Sequence, residues 1–218
     1  MAYKEEKDPL TEKGKRHVSA ATSAVLGLTK SVIVGTPTIN PNEHNLNAQE
    51  IMDVIFYRKS PWAVKTKATA TKPAIYVPVY KEITLEAIQK HLDGGHTIAA
   101  YQSRPDETCL WATIDFDDFK YEEVAKQIYR EQKASGVFQS VLIEPKFEES
   151  ESRGYHIWFF FKTPQTTEFA YKMLINILAT KGLEKGTNNK IDVYPRAEHL
   201  TGKKFGAHVR VPKKFIEV

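Results

Sequence analysis

The chain has 218 residues, 41% of them hydrophobic, and a formal charge of +4, which describes one large globular domain or two small ones with an apolar core. Its single cysteine, Cys109, excludes a disulfide framework and a cysteine-based zinc site within the chain. No apolar run approaches the roughly 18 residues of a membrane span, and the charged segment Met1–Arg16 does not resemble a signal peptide, so we expect a reducing, cytoplasmic setting and no membrane partner.

The first part of the chain predicts a peripheral extension followed by a helix. Residues 1–45 form the extension, in which Ser31–Val34 has the pattern of a strand. Asn47 is followed three residues later by Glu50, which predicts a capping box at the start of a helix that reaches about Tyr57.

A strand and a second helix follow. The segment Pro73–Tyr80 alternates like a strand, and its two prolines predict a position at the edge of a sheet. Thr84 is suited to cap the helix, and Gly94-Gly95 is suited to end it. Ile83 and Ile88 have the spacing of a hydrophobic staple. The predicted buried stripe consists of Leu85, Ile88 and Leu92.

Strands and helices then come in the order strand, helix, strand, strand, helix, strand. The predicted bounds are Leu110–Asp117, Tyr121–Ala134, Val137–Glu144, Tyr155–Lys162, Thr166–Leu183 and Lys190–Tyr194, with a last short strand at Ala207–Val211. This order is the split βαβ pattern of ferredoxin-like and RRM-like domains, in which the first and third strands are central. We expect the fourth strand to flank the third.

Two carboxylates at the end of the first of these strands predict a cation. Asp115 and Asp117 point to the same face because strand side chains alternate, and they lie roughly 7 Å apart along the strand. Two ionised carboxylates at that separation repel each other and raise each other's pKa unless a cation lies between them. A strand that runs into a solvated acidic turn is the alternative.

Positive charge is concentrated in two segments, which predicts a polyphosphate or nucleic-acid partner. One segment spans residues 58–81 and has six basic residues and no acidic one; the other, 190–218, has seven basic and three acidic residues. The candidate template-binding residues of the first segment are Arg58, Lys59, Lys65, Lys67 and Lys72.

Two further motifs add polar groups beside the aspartates. His156 opens an apolar strand that should lie next to Asp115, and an imidazole there can donate to a phosphate oxygen. Gly154, two residues earlier, lets the backbone approach a ligand closely. Asp192 adds a third carboxylate on another strand. Three carboxylates that hold two Mg²⁺ or Mn²⁺ ions, with basic groups for a triphosphate, are the parts of two-metal nucleotidyl transfer.

Three motifs in this order resemble the archaeo-eukaryotic primase superfamily, and most closely its primase-polymerase branch of mobile-element and CRISPR-associated systems. They are D-x-D at 115–117, G-x-H with following aromatics at 154–161, and D-V-Y-P-R with G-x-H-V-R-V-P at 192–212. The resemblance covers roughly residues 50–215. It departs from the family pattern at Ser152, which stands four residues before His156, and at Asp192 and Arg196, where many relatives have Glu and Lys.

The resemblance implies an α+β primase fold. The catalytic domain would span 46–218, with an N-terminal α/β module at 46–108 packed against an RRM-like βαββαβ module at 109–218. It implies a template-dependent DNA primase-polymerase that starts and extends chains. The partners would be a single-stranded DNA template and primer, nucleoside triphosphates, and further domains or subunits of a CRISPR or mobile-element system.

The resemblance also implies roles for individual residues. Asp115, Asp117 and Asp192 would bind two Mg²⁺ or Mn²⁺ ions and carry catalysis. Tyr101 falls where the primase-polymerases place a tyrosine that senses the 2′ position of the sugar. The residues implied to bind the nucleotide are His156, Arg210, Lys214, Tyr101, Gly154 and Arg153.

Two other functions remain open from the residues. The run Arg153-Gly154-Tyr155 echoes the RNP1 pattern of an RRM-like module that binds RNA or single-stranded DNA, but such a base-stacking surface has no use for Asp115 and Asp117. Glu144-Pro145-Lys146 beside these aspartates resembles the E-x-K site of a metal-dependent nuclease. Pro145 is awkward within a strand, and E-x-K is common by chance.

Overall fold

The computed structural model describes residues 46–148, 151–200 and 205–218. The predicted extension 1–45, with its strand at Ser31–Val34, lies outside these residues. The helices are α1 (Ala48–Val54), α2 (Leu85–Leu92), α3 (Glu122–Ala134) and α4 (Thr167–Ala179). The strands are β1 (Trp62–Lys65), β2 (Tyr76–Val79), β3 (Ile98–Tyr101), β4 (Thr108–Phe116), β5 (Ser140–Glu148), β6 (Glu151–Thr166), β7 (Ile191–Tyr194) and β8 (His208–Arg210).

These strands form two four-stranded antiparallel sheets, so the fold is α+β, as predicted. The first sheet has the order β2-β1-β3-β8 and the second β5-β6-β4-β7. No helix in the described ranges is long and apolar enough to cross a membrane.

The second sheet confirms the predicted βαββαβ order and corrects one neighbour. Strands β4 and β6, the first and third of the module, are central, as expected. The prediction that the fourth strand flanks the third was wrong, because β7 pairs with β4. The last strand, β8, leaves this module and pairs with β3 of the first sheet.

Two apolar cores hold the layers together. The first lies between the second sheet and helices α3 and α4, and it includes Ile114, Phe116, Ile128, Ile157, Phe159 and Leu174. The second joins the opposite face of that sheet to the first sheet and to helices α1 and α2, and it includes Ile51, Ile88, Ile98, Trp111, Leu142, Trp158, Phe160 and Val209. The strand alternation assigns neighbouring residues of β6 to opposite cores, which explains its nearly continuous apolar sequence.

The helix starts agree with the predictions more closely than the buried stripes do. Asn47 and Glu50 form the predicted capping box, and α1 ends at Val54, one turn before the predicted end. Thr84 caps α2 through the Ala87 amide. Of the predicted α2 stripe, Ile88 is buried, but Leu85 is 45% exposed.

His91 takes the place of Leu85 in the buried stripe of α2. It is fully buried, and its Nε2 lies 3.0 Å from the Val211 carbonyl oxygen. An imidazole can occupy an apolar face when its polar atoms have partners.

Candidate active site

Strand register brings four ionisable side chains into one row across the second sheet. Glu144 of β5 is opposite His156 of β6, His156 is opposite Asp115 of β4, and Asp115 is opposite Asp192 of β7. Directly paired residues share a face, so all four project from the face that also carries Trp158. The sequence predicted His156 as a neighbour of Asp115, but not Asp192, because it placed the fourth strand beside the third.

His156 lies between two carboxylates. Its Nε2 is 3.2 Å from Asp115 Oδ1, and its Nδ1 is 2.8 Å from Glu144 Oε2. Burial alone would lower the pKa of His156, but the two carboxylates raise it above its ordinary value. A protonated ring can therefore donate a hydrogen bond on each side.

Glu144 is a buried anchor for three donors. One oxygen accepts from His156 and, at 3.2 Å, from Trp158 Nε1, while the other accepts from the Arg210 guanidinium. Burial would raise the pKa of Glu144, but Arg210 and His156 lower it, so the carboxylate is charged. Because Arg210 belongs to β8, this carboxylate ties the first sheet to the row on the second.

The ammonium of Lys146 lies between Asp115 and Asp117, where the sequence predicted a divalent metal ion, and metal binding by these two aspartates stays a prediction. Its Nζ contacts a carboxylate oxygen of both aspartates, and Lys146 and Asp115 are nearly buried. Burial alone would raise the pKa of Asp115, but His156 and Lys146 hold it far below its ordinary value. The pair can therefore converge on one cation, which is the requirement for a shared divalent ion.

Asp192, the third predicted metal ligand, lies in the row but has a different partner. One of its oxygens pairs with Arg196 at 2.6 Å, and the Arg196 guanidinium lies 4.9 Å from the centre of the Tyr194 ring. Across the described ranges, no three His, Cys, Asp or Glu side chains are arranged to hold a metal ion. Metal binding by Asp192 stays a prediction.

A cleft of about 1140 Å³ opens beside the row and is mainly basic. Asp117, Glu144 and Asp93 are the acidic residues in its lining. The basic residues of the lining are Lys65, Lys146, Arg153, Lys190, Arg210, Lys213 and Lys214. It therefore contains three of the residues predicted to bind the nucleotide, Arg153, Arg210 and Lys214. A polyanion such as a triphosphate fits this charge distribution.

The structure explains the need for glycine at position 154 in a way that differs from the prediction. Its φ is +131°, and a Cβ at this position would lie 1.9 Å from the Phe116 carbonyl oxygen. The close approach that the sequence assigned to a ligand is therefore made by the neighbouring strand β4.

Of the remaining predicted residues, Tyr101 and Lys65 lie in strands of the first sheet, and the others lie in the segments before and after β1. Tyr101 is nearly buried and packs edge-to-face on His208, with ring centres 5.4 Å apart. Arg58 donates to the Ser60 carbonyl and lies over the Phe205 ring, so it has a packing role as well as a charge. The other four candidates for template binding, Lys59, Lys65, Lys67 and Lys72, are exposed.

Sequence reasoning missed what Glu144 and Lys146 do. It noted both only as parts of a nuclease motif, whereas the structure makes one the anchor of His156 and the other the counterion of the aspartates. Their spacing of two residues was a signal that they share a face of β5. Assigning their partners required the register between β5 and β6.

Comparison with known proteins gives a match to a family model. A family model described as "TOTE conflict system, Archaeo-Eukaryotic Primase domain" matches residues 54–216, about three quarters of the chain. The matched region contains the whole row and all the basic residues of the cleft lining. No curated protein gives a significant match.

Proposed function

Because the chain belongs to the archaeo-eukaryotic primase domain family of the TOTE conflict system, we propose that it is a template-dependent primase-polymerase that starts and extends nucleic-acid chains from nucleoside triphosphates. The family supports a nucleotidyltransferase of the primase and polymerase type. The observation that carries the finer proposal is that Asp115 contacts both His156 and Lys146, and that Lys146 lines a basic cleft.

Asp115 and Asp117 are the residues that would hold the divalent ions, since a single Lys146 ammonium already contacts both carboxylates. Mg²⁺ and Mn²⁺ favour such oxygen ligands, and bound there they would supply activation of a primer hydroxyl and charge stabilisation at the attacked phosphate. Asp192 would complete the set if its carboxylate left Arg196, and Arg196 could then contact a phosphate.

His156 and Arg210 would bind the triphosphate. Glu144 fixes both of them, so their donors are held in place before the nucleotide arrives. The Nε2–H of His156 faces Asp115 at 3.2 Å. To bind the nucleotide it would exchange this carboxylate for a phosphate oxygen. The lysines of the cleft, including Lys214, would neutralise the remaining charge of the triphosphate.

The two other functions are less well supported. On β6 the aromatic side chains Tyr155, Trp158 and Phe160 are buried, so this strand offers no RNP1-type surface for base stacking. For a nuclease of the E-x-K type, Glu144 would have to bind metal. It instead accepts from His156, Trp158 and Arg210.

The proposal is tested with Asp115→Asn, which preserves the shape of the side chain and removes its charge. We expect nucleotide incorporation on a primed template with Mn²⁺ to fall by at least about a thousandfold, while template binding stays within about twofold. Lengthened DNA would indicate a polymerase, and shortened DNA a nuclease. DNA that is bound but unchanged in length would indicate a binding module.

The matched control is Asp118→Asn in the same acidic stretch. Asp118 accepts from the Lys120 amide at 3.0 Å, a contact that an asparagine can keep, and it lies outside the row. Asp118→Asn should retain wild-type incorporation. Equal activity of the Asp115 variant and wild type would refute the site.

The priming task, the choice of sugar and the cellular setting are also part of the proposal. De novo dinucleotide synthesis on unprimed single strands, assayed with ribo- and deoxynucleotides, would show whether priming is the task and which sugar is preferred; sugar selection by Tyr101 stays a prediction. We place the activity in the cytoplasm. The family description names a TOTE conflict system, and an association with CRISPR or mobile elements stays a prediction.

A further inference from the structure

Five rings form a continuous series on one face of the first sheet, which we call the ring cluster (Tyr76, His208, Tyr101, Phe205 and Tyr80). In that order their neighbouring centres are 4.8, 5.4, 5.8 and 5.8 Å apart. These separations are those of favourable aromatic pairs. The catalytic row on the second sheet uses none of these rings.

Small residues beneath the rings explain how they lie across the sheet. Ala63 of β1 and Ala99 of β3 are fully covered, and they form a small apolar cluster with Tyr101, Tyr76 and Phe205. Their methyl groups leave room for rings from β2, β3 and the segment before β8 to cover the strands. The result is a layer of mutually inclined rings over the strands rather than a filled core.

The outer end of the ring cluster is open to solvent. Tyr80 is 68% exposed, and Tyr76, Phe205 and His208 are half-buried. An exposed tyrosine at the end of a packed series of rings offers a π-face to a planar partner.

Positive charge surrounds the same face. Strand register puts Lys65 opposite Tyr76 and Arg210 opposite Ala99, so both cations share the face of the ring cluster, and both also line the cleft. Arg58 lies over the Phe205 ring. Residues 58–81 contain six basic residues and no acidic one, so the complementary partner is a polyanion that also carries planar rings.

We propose that the ring cluster is a stacking platform for the bases of the single-stranded template, with Tyr80 as its exposed end. This inference rests on the proposed function, since it describes the template site of that polymerase. Every base has a π-face, so such stacking tolerates any sequence, and the surrounding cations bind the phosphates. Arg210 connects the platform to Glu144 and through it to His156.

The test is binding of the full chain to a labelled single-stranded oligonucleotide, measured by fluorescence anisotropy, with an abasic version of the same strand for comparison. Tyr80→Ala should weaken binding to the normal strand by about fivefold or more. Tyr80→Phe, which keeps the ring, should bind like wild type. Wild type should prefer the normal over the abasic strand, and Tyr80→Ala should lose that preference.

Val77→Ala is the matched control, because Val77 lies on the opposite face of β2 and is 39% exposed. It should leave binding unchanged. Because stacking is not an ionic contact, Tyr80→Ala should also leave the slope of affinity against salt unchanged.

Three results would overturn the platform: no binding of single strands by wild type, equal binding by Tyr80→Ala and wild type, or a change of oligomeric state in Tyr80→Ala, which would identify a protein interface. Nucleotide incorporation by the same preparation tests the polymerase separately. Incorporation that is independent of Tyr80 refutes the platform alone, whereas base-dependent binding without incorporation refutes the polymerase alone.

Discussion

Glu144 is a buried carboxylate that fixes the geometry of the candidate site by holding three donors. Its two oxygens accept from His156 and Trp158 of β6 and from Arg210 of β8, so it joins two strands of different sheets. A carboxylate has acceptor capacity on both oxygens, whereas an amide has it on only one. Replacing it by glutamine therefore places an NH₂ group against at least one of these donors.

We predict that Glu144→Gln raises the KM for the nucleotide by about tenfold with a smaller change in kcat, because His156 and Arg210 lose their fixed positions. Steady-state incorporation kinetics measure both constants. Glu107→Gln is the matched control, since Glu107 pairs with His199 at 2.9 Å on the exposed surface outside the cleft lining. A Glu144 variant with wild-type KM would contradict the positioning role.

Lys146 explains why the aspartates tolerate each other in the structure. Its ammonium supplies the positive charge that two close carboxylates require. A divalent ion bound by the same oxygens would replace that charge, and the ammonium would then be available to the phosphates in the cleft.

At the scale of elements, strand β6 carries the clearest constraint. Gly154 has a left-handed φ and no room for a Cβ beside Phe116, at the point where the pairing of β5 with β6 shifts register. A side chain at position 154 would therefore strain the backbone and clash with Phe116, on the same strand that holds His156.

We predict that Gly154→Ala lowers the free energy of unfolding by roughly 3 kcal/mol or more. Gly182→Ala is the matched control: Gly182 has φ of +66°, and the position that an alanine methyl group would take has nothing within 4 Å, so only the backbone penalty of about 1 kcal/mol remains. Urea denaturation of both variants measures the difference. Equal losses of stability in the two variants would show that the fold accommodates a methyl group beside the Phe116 carbonyl at little cost.

Helix α2 gives the fold a defined response to acid. Burial lowers the pKa of His91 to about 4, against an ordinary value of 6.5. The unfolded chain takes up this proton near pH 6.5, whereas the folded chain does so only near pH 4. The contribution to stability is therefore complete above pH 6.5 and is lost as the pH falls from 6.5 to 4.

We predict that His91→Gln, which keeps a donor for the Val211 carbonyl, removes up to about 3 kcal/mol of the pH dependence between pH 7.5 and 4. Urea unfolding at both pH values measures it. A variant as acid-sensitive as wild type would mean that His91 does not carry this response.

At the scale of the whole molecule, the cleft collects cations from both sheets and from the end of the chain. Lys65 comes from β1, Lys146 from β5, and Lys213 and Lys214 from the segment after β8. The formal charge of +4 understates this concentration, because much of the acidic charge lies elsewhere.

We predict that affinity for single-stranded DNA falls steeply with salt, and that replacing Lys213 and Lys214 by alanine reduces the slope of log K against log salt by about 1.4, or roughly 0.7 for each phosphate contact. Titrations at several salt concentrations measure the slope. Lys133 and Lys172 are control positions, because they pair with Glu217 and Glu168 outside the cleft lining. An unchanged slope in the Lys213 and Lys214 variant would exclude these two residues from the binding surface.

Local patterns in the sequence determined most of the elements. The capping residues Asn47 and Thr84, the alternation of β4 and the order of strands and helices after Cys109 all depend on neighbours within a few residues, so they can be predicted without the fold. The same order placed Asp115 beside His156, because the first and third strands of a split βαβ unit are adjacent.

Only the tertiary structure decided which distant residues meet. The register of β5 against β6 put Glu144 beside His156 and brought Lys146 to the aspartates, and the pairing of β8 with β3 brought Arg210 to Glu144. The position of β7 beside β4 and the packing of rings around Tyr101 also depend on contacts between residues that are distant in the sequence. The free energy of these pairings comes from surfaces that are far apart along the chain, so no local pattern of residues specifies them.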